Sequence, residues 1–122
     1  MLEEKLMQKQ LVFWIRGQYP QALFSISPAG VTRGSRIQRI RAGLDAKQMG
    51  YRRGWPDLFF PEPRGGFHGL FIELKIKGGK VSPEQIEVNG LLNDRGYHAT
   101  VCYGFEEAQQ TISFYMNMPG PR

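Results

Sequence analysis

A chain of 122 residues, 41% hydrophobic and 12% aromatic, suffices for one globular domain with a core, is too short for two, and is too apolar for a disordered tail. A formal net charge of +5 favours an anionic partner, while the single cysteine, Cys102, excludes an internal disulfide and a cysteine metal cluster and suits a reducing compartment. No apolar run approaches the ~20 residues of a membrane span, and the mixed-charge start Met-Leu-Glu-Glu-Lys is unlike a secretory signal, so a cytoplasmic location is expected.

Residues 3–18 read as a helix, with Leu2, Leu6, Met7, Leu11, Phe13 and Trp14 at helical spacing. Tyr19-Pro20 ends it, because the residue before proline avoids the helical region. Glu4 near its start is the kind of charge a helix N-terminus favours. Residues 22–26 form a short apolar segment with the character of a strand, followed by a Ser-Pro-Ala-Gly turn at 27–30. Residues 33–49 read as a second helix with Ile37, Ile40 and Leu44 as its buried stripe. Arg33, Arg36, Arg39, Arg41 and Lys47 flank that stripe and Arg52 and Arg53 follow, with only Asp45 to offset them. A solvated helix face would account for such a run. Its position just before Asp57 favours contact with a phosphate backbone, whose neutralisation releases counterions.

Next comes the stretch around which the chain is organised. Asp57 opens the apolar run Leu58-Phe59-Phe60, Pro61 closes it, and a turn-rich Glu-Pro-Arg-Gly-Gly segment leads towards a second apolar run, Leu70-Phe71-Ile72, ending at Glu73. Two nearly unbroken apolar runs around a Pro/Gly loop predict an antiparallel hairpin buried on both faces. In that pairing the start of one strand lies beside the end of the other, so Asp57 and Glu73 meet at one edge. Lys75, two residues on, shares the face of Glu73. Two close carboxylates repel, and an oxygen-preferring divalent cation, most naturally Mg²⁺, resolves that repulsion while supplying a Lewis acid. A lysine beside them can orient or deprotonate a water, or steady an anionic transition state. Taken singly, Asp57 is an ordinary turn residue and Glu73 and Lys75 ordinary strand-end charges. Together in this register they point to phosphodiester hydrolysis.

Lys77-Gly78-Gly79-Lys80 reads as a flexible basic loop. It is not a nucleotide-binding P-loop, since Val81 stands where Ser or Thr is required and the leading glycine is missing. Ser82-Pro83-Glu84-Gln85 is a strong helix start, with Ser at the N-cap, Pro at N1 and Gln at N3 as a capping box. That helix is expected to run to about Asp94 with Ile86, Leu91 and Leu92 as its apolar residues, ended by Arg95-Gly96. Residues 97–103 read as a strand with Cys102 buried as a small hydrophobe. A last helix from about Phe105 is expected to turn Ala108, Ile112, Tyr115 and Met116 inward, ahead of a frayed tail at Pro119-Gly120-Pro121. His68 and His98 are isolated and read as structural. The expected architecture is one α/β domain over residues 1–118 with a tail at 119–122. Its mixed sheet has a central antiparallel hairpin, a later strand joined through a right-handed helical crossover, and helices on its flanks.

Pro56-Asp57 followed by Glu73-Leu74-Lys75 resembles the PD-(D/E)XK nuclease signature. The wider context, Gly54-Trp55-Pro56-Asp57-Leu58-Phe59, Gly66-Phe67-His68-Gly69-Leu70-Phe71-Ile72-Glu73-Leu74-Lys75 and Ser82-Pro83-Glu84-Gln85, resembles the virus-type replication-repair nuclease (VRR-NUC) domain. The similarity continues through Gly96-Tyr97 and Tyr103-Gly104-Phe105-Glu106-Glu107-Ala108, with a fainter echo at Glu4 and Gln8, and so covers almost the whole chain. Where the family commonly carries a Pro-Asn-Gly-like turn, this chain has Pro28-Ala29-Gly30. The resemblance implies a restriction-endonuclease-like fold and a Mg²⁺- or Mn²⁺-dependent deoxyribonuclease. It implies metal ligation by Asp57, Glu73 and the carbonyl of Leu74, with Lys75 acting on the water, Gln85 orienting that group and Glu4 as an outer acid. It also implies work on branched or structured DNA, such as four-way junctions or flaps, in phage or bacterial replication and repair. DNA contacts are expected from Arg33, Arg36, Arg39, Arg52, Arg53, Lys77 and Lys80. A catalytically silent nucleic-acid-binding module of the same fold is the alternative. A homodimer is expected, because symmetric cutting of a junction needs two sites, with Phe13, Trp14, Phe114, Tyr115, Met116 and Met118 as interface groups.

Overall fold

The computed structural model describes residues 2–27 and 47–121. The arginines at 33, 36, 39 and 41, the stripe Ile37, Ile40 and Leu44, and the turn at 28–30 lie outside the described residues. Seven elements follow one another: α1 (Leu2–Gln18), β1 (Ser25–Ile26), β2 (Leu58–Phe60), β3 (Leu70–Lys75), α2 (Pro83–Asp94), β4 (His98–Tyr103) and α3 (Phe105–Met116). The strands form one mixed sheet in the order β1-β2-β3-β4. The first two pairings are antiparallel, and β3 runs parallel to β4 through the α2 crossover.

Apolar residues at successive positions of β2 and β3 cannot all face one layer, so the sheet is covered on both sides. On one face Leu58, Phe60, Leu70, Ile72 and Leu74 pack with Leu11 and Ile15 of α1 and Ala108, Ile112 and Tyr115 of α3. On the other, Phe71 and Ala99 pack with Val88 and Leu92 of α2, joined by Phe59 and Tyr97. Burial of each such Leu, Ile or Phe side chain contributes roughly 1.5–3 kcal/mol, and β3, buried through its first five residues, is the strand held most firmly. By strand alternation Glu73 and Lys75 share the α2 face with Phe71. They stand where β3 runs out of apolar residues.

The α2 start forms as its residues require. The Ser82 side chain accepts from the Gln85 N–H (3.1 Å), and the Gln85 side chain accepts from the Ser82 N–H (2.9 Å). The buried stripe of α2 differs from expectation. Val88 and Leu92, four residues apart, face the sheet, and Ile86 is 63% exposed because it lies about 200° round the helix from Val88. In α1 the inward residues are Leu11 and Ile15, with Leu6 and Phe13 exposed. Cys102 is fully buried, and burial pushes its thiol up to about 11, so it is an inert core residue. Both histidines are structural. The His98 ring lies between Phe67 and Tyr115, where burial lowers its pKa, and the His68 ring rests on Gly96 and Tyr97.

Two C-terminal expectations change. Tyr115 is not an interface group: it is 1% exposed, and its hydroxyl donates to the Glu62 carbonyl at 2.7 Å. Met116 and Met118 also pack against the core, as does Trp14. The tail is anchored at its first residue, since Pro119 accepts a hydrogen bond from the Gly65 N–H at 2.9 Å. No helix among the described residues is long and apolar enough to cross a membrane.

Candidate active site

Three residues predicted to converge do so through the register of the hairpin. Leu58 pairs with Ile72, so Asp57 and Glu73 occupy the next step of the same ladder. Just before the first residue of β2, the backbone N–H of Leu74 donates to Asp57 Oδ2 at 2.8 Å. The carboxylate thus extends the hydrogen bonding to β3 one step ahead of the strand, and this fixes its position.

Glu73 is the only buried charged-type residue among those described, at 4% exposed. Burial first, then a hydrogen bond that the protonated Glu73 carboxyl donates to Asp57, and the charge of Asp57, push the Glu73 pKa up to about 9. Lys75 pulls it the other way, and Glu4 adds a further upward push. The Lys75 Nζ stands 3.9 Å from Glu73 Oε2, at the outer limit of an ion pair, so burial and the second carboxyl outweigh it. Glu73 therefore keeps its proton at neutral pH in the absence of another cation.

That arrangement is what an oxygen-preferring cation would relieve, since it offsets both charges where one proton offsets one. Among the described residues no cluster of three or more His, Cys, Asp or Glu side chains is placed to hold a metal. A two-carboxylate site suits Mg²⁺, which keeps several waters and is bound through one or two carboxylates together with substrate phosphates. Glu4 on α1 is felt by Glu73 as a further negative charge, which places the first-helix acid on the side of the site.

Lys75 is held from several directions. Its carbonyl accepts from the Gly104 N–H (2.8 Å), where β4 passes into α3. The Gly79 turn folds back on its stem, so that a Cβ at Gly79 would lie 3.4 Å from Lys75 Cβ. Lys77 and Lys80, the two basic loop residues, are exposed on either side of that turn. Gln85 is placed less directly. Its side-chain oxygen is taken by the helix cap, but its backbone abuts the loop that carries Asp57. A Cβ on Gly54 would fall 2.5 Å from the Glu84 carbonyl and 2.9 Å from the Gln85 nitrogen.

The loop itself is a tight turn, with the Trp55 N–H donating to the Arg52 carbonyl at 3.3 Å and Gly54 at φ +88° in the third position, which glycine best satisfies. Arg52 pairs with Glu87 of α2 at 3.2 Å, and Arg53 is exposed. The sequence patterns do not single out Tyr51, yet its phenol stands by the carboxyls. Burial raises its pKa first, the charges of Glu73 and Asp57 raise it further, and Arg53 opposes them. An aromatic residue among basic neighbours six positions before Asp57 is the only signal that could have marked it.

Comparison with known proteins bears on the fold and the family. The family model described as the VRR-NUC domain matches residues 4–106. A solved structure described as a VRR_NUC domain protein superposes with a TM-score of 0.80 at 26% sequence identity, over 96% of this chain and 90% of the other. No curated protein matches the chain significantly.

Proposed function

Because the chain belongs to the VRR-NUC domain family, a nuclease family, we propose that it hydrolyses DNA phosphodiester bonds with Mg²⁺ or Mn²⁺ as cofactor. The observation that carries the reading is the meeting of the half-buried Asp57 and the buried Glu73 at one sheet edge, with Lys75 Nζ 3.9 Å from Glu73. Two acids at the mouth of a path for an anion are a liability to a protein that only binds DNA, and they suit one that holds a cation there. Asp57, Glu73 and the Leu74 carbonyl would hold the ion, with Glu4 as an outer acid. When bound, the ion supplies Lewis acidity to the reaction.

The protein's own groups do the rest. Leu74 keeps Asp57 oriented through its N–H. Lys75 presents Nζ to the attacking water and to the charge that builds on the phosphoryl oxygens, where a positioned cation acts most strongly. Gln85 steadies this end of β3 from the first turn of α2. Arg33, Arg36, Arg39, Arg52, Arg53, Lys77 and Lys80 bind the phosphate backbone, although Arg52 divides its charge with Glu87. The substrate we favour is branched or structured DNA of replication and repair, such as a flap or four-way junction in a bacterial or phage-infected cell. It is cut by a homodimer, for which Phe13 and Phe114, 83% and 73% exposed, remain available as apolar contacts.

The test is incubation of the purified protein with labelled duplex, flap and four-way-junction DNA, with Mg²⁺, with Mn²⁺ and with chelator, alongside Asp57→Ala. Divalent-dependent cleavage by the native chain and none by the variant is the expected outcome. DNA binding without cleavage under every metal condition would leave a silent binding module. Light scattering at micromolar concentration should give about twice the 14.0 kDa chain mass.

A further inference from the structure

Beside the carboxyl pair lies a cavity of about 390 Å³ that the hydrolytic reading does not use. Its volume is at the small end of small-molecule sites. Tyr51, Arg52, Trp55 and Phe59 line it from one side and the edge strand β1, with Ser27, from the other. Trp55 is 39% exposed, so part of its indole is open to a ligand. The indole is also firmly seated. It stands edge-on to Phe71, with centroids 5.5 Å apart at 86°, and Phe71 is stacked on Phe59 at 4.2 Å and 12°. The tight turn at 52–55, pressed against the first turn of α2 through Gly54, fixes its backbone. The result is an aromatic surface held ready for a flat ligand.

Two links tie this cavity to the carboxyls. The Ser27 N–H donates to the Asp57 carbonyl at 2.7 Å, so the β1 wall is joined to the residue that bears the carboxylate. Tyr51 lines the cavity and lies within the field of both Asp57 and Glu73. A ligand in the cavity would be next to whatever phosphate the carboxyls and Lys75 act on. Arg52 at the rim and neighbouring Arg53 supply positive charge for that phosphate's neighbours.

Resting on the nuclease reading, we propose that this cavity receives the base of one unpaired nucleotide adjacent to the scissile phosphate, stacked on Trp55 with Tyr51 beside it. A base inside a duplex is already stacked on both sides and cannot enter a concave site without leaving the helix, so the pocket selects DNA with an unpaired or displaced nucleotide at the cleavage position. Aromatic stacking tolerates any base, since each has a π-face, so the selection is for structure and not for sequence. This gives a physical basis for preferring a fork or flap junction over continuous duplex.

The experiment uses a forked duplex carrying 2-aminopurine at successive single-stranded positions near the junction, titrated with the full chain in chelator, so that the readout is binding and not cleavage. The wild type should quench the fluorescence strongly at one position. Trp55→Ala should abolish that quench and weaken fork binding roughly five- to hundred-fold, the range for loss of one stacked base. Trp55→Phe should retain both, which guards against a mere folding defect. Continuous duplex should bind more weakly and respond little to either change. The proposal is overturned if the wild type shows no position-specific quench, if Trp55→Ala quenches like the wild type, or if Trp55→Ala weakens fork and duplex alike. Cleavage of the same forks with Mg²⁺ or Mn²⁺ separates the two readings. Intact cleavage without the stacking signature removes the pocket alone, and the stacking signature without cleavage removes the nuclease reading alone.

Discussion

Replacing Glu73 by Gln should stabilise the metal-free protein increasingly as pH rises, while abolishing cleavage. The unfolded chain releases the Glu73 proton near 4.5, and the folded chain keeps it to about 9, chiefly because the group is buried. Between those values the folded state binds one proton more than the unfolded state, so stability falls as pH rises. The slope is about 1.4 kcal/mol per pH unit for one proton, and it depends only on the folded value lying well above the working range. For a domain of this size the entropy of unfolding is about 0.26 kcal/mol/K, so the melting temperature should drop by about 5 °C per pH unit through this group. Glutamine has the same shape and no proton to lose. Melting curves in chelator from pH 6 to 8 should therefore show the variant gaining about 10 °C relative to the wild type. Excess Mg²⁺ or Mn²⁺ should reduce the gap at pH 8, because a cation would take the place of the Glu73 proton in the wild type only. Parallel curves for the two proteins in chelator would refute the claim that Glu73 holds a proton at neutral pH.

Lys75→Ala should lose about 10²–10³ in cleavage rate, the scale of one positioned transition-state interaction, while calorimetry still detects binding of the divalent ion; loss of ion binding would make the lysine a structural group. Changing Arg36 and Arg39 together to Ala should lower the slope of log affinity against log salt by up to ~2, about one for each phosphate no longer neutralised, and an unchanged slope would return both to a solvated helix face. Gly54→Ala should cost about 1–2 kcal/mol from the left-handed backbone alone, with a further loss from the clash with Glu84, and should depress cleavage by shifting the loop before Asp57; a melting temperature within 1–2 °C of wild type, roughly the effect of an ordinary surface change, would show that the loop accommodates a side chain.

The carboxylate edge was legible because it depends on strand arithmetic. Once 58–60 and 70–72 are read as antiparallel, the meeting of Asp57 with Glu73 and the placing of Lys75 follow without further information. The Ser82–Gln85 cap was legible for the same reason, being encoded in four consecutive residues. What could not be read were features set by packing between distant segments. The α2 stripe runs through Val88 and Leu92 because Phe71 and Ala99 lie beneath them, and nothing local to α2 says that Ile86 will face outward. Tyr115 has the look of a surface aromatic until the Glu62 carbonyl, fifty-three residues away, is found to accept its hydroxyl. Tyr51 and the cavity beside Trp55 depend likewise on β1 lying at the sheet edge opposite the turn at 52–55.

These long-range features share a consequence for the site. Glu73 stands in a strand whose neighbours Phe71, Ile72 and Leu74 are all buried, and a residue chosen for stability alone at that position would be apolar. The fold tolerates it because every group around it is over-determined. Asp57 is clamped by the Leu74 N–H, the Lys75 backbone by Gly104, and the loop before Asp57 by Gly54 against α2. In this fixed setting a cation that offset both carboxyls would relieve their repulsion without rearranging the sheet. The packing of the hairpin would then set the affinity of the proposed ion site, and core substitutions behind it, such as Ile72→Ala, should loosen ion binding as well as lower stability.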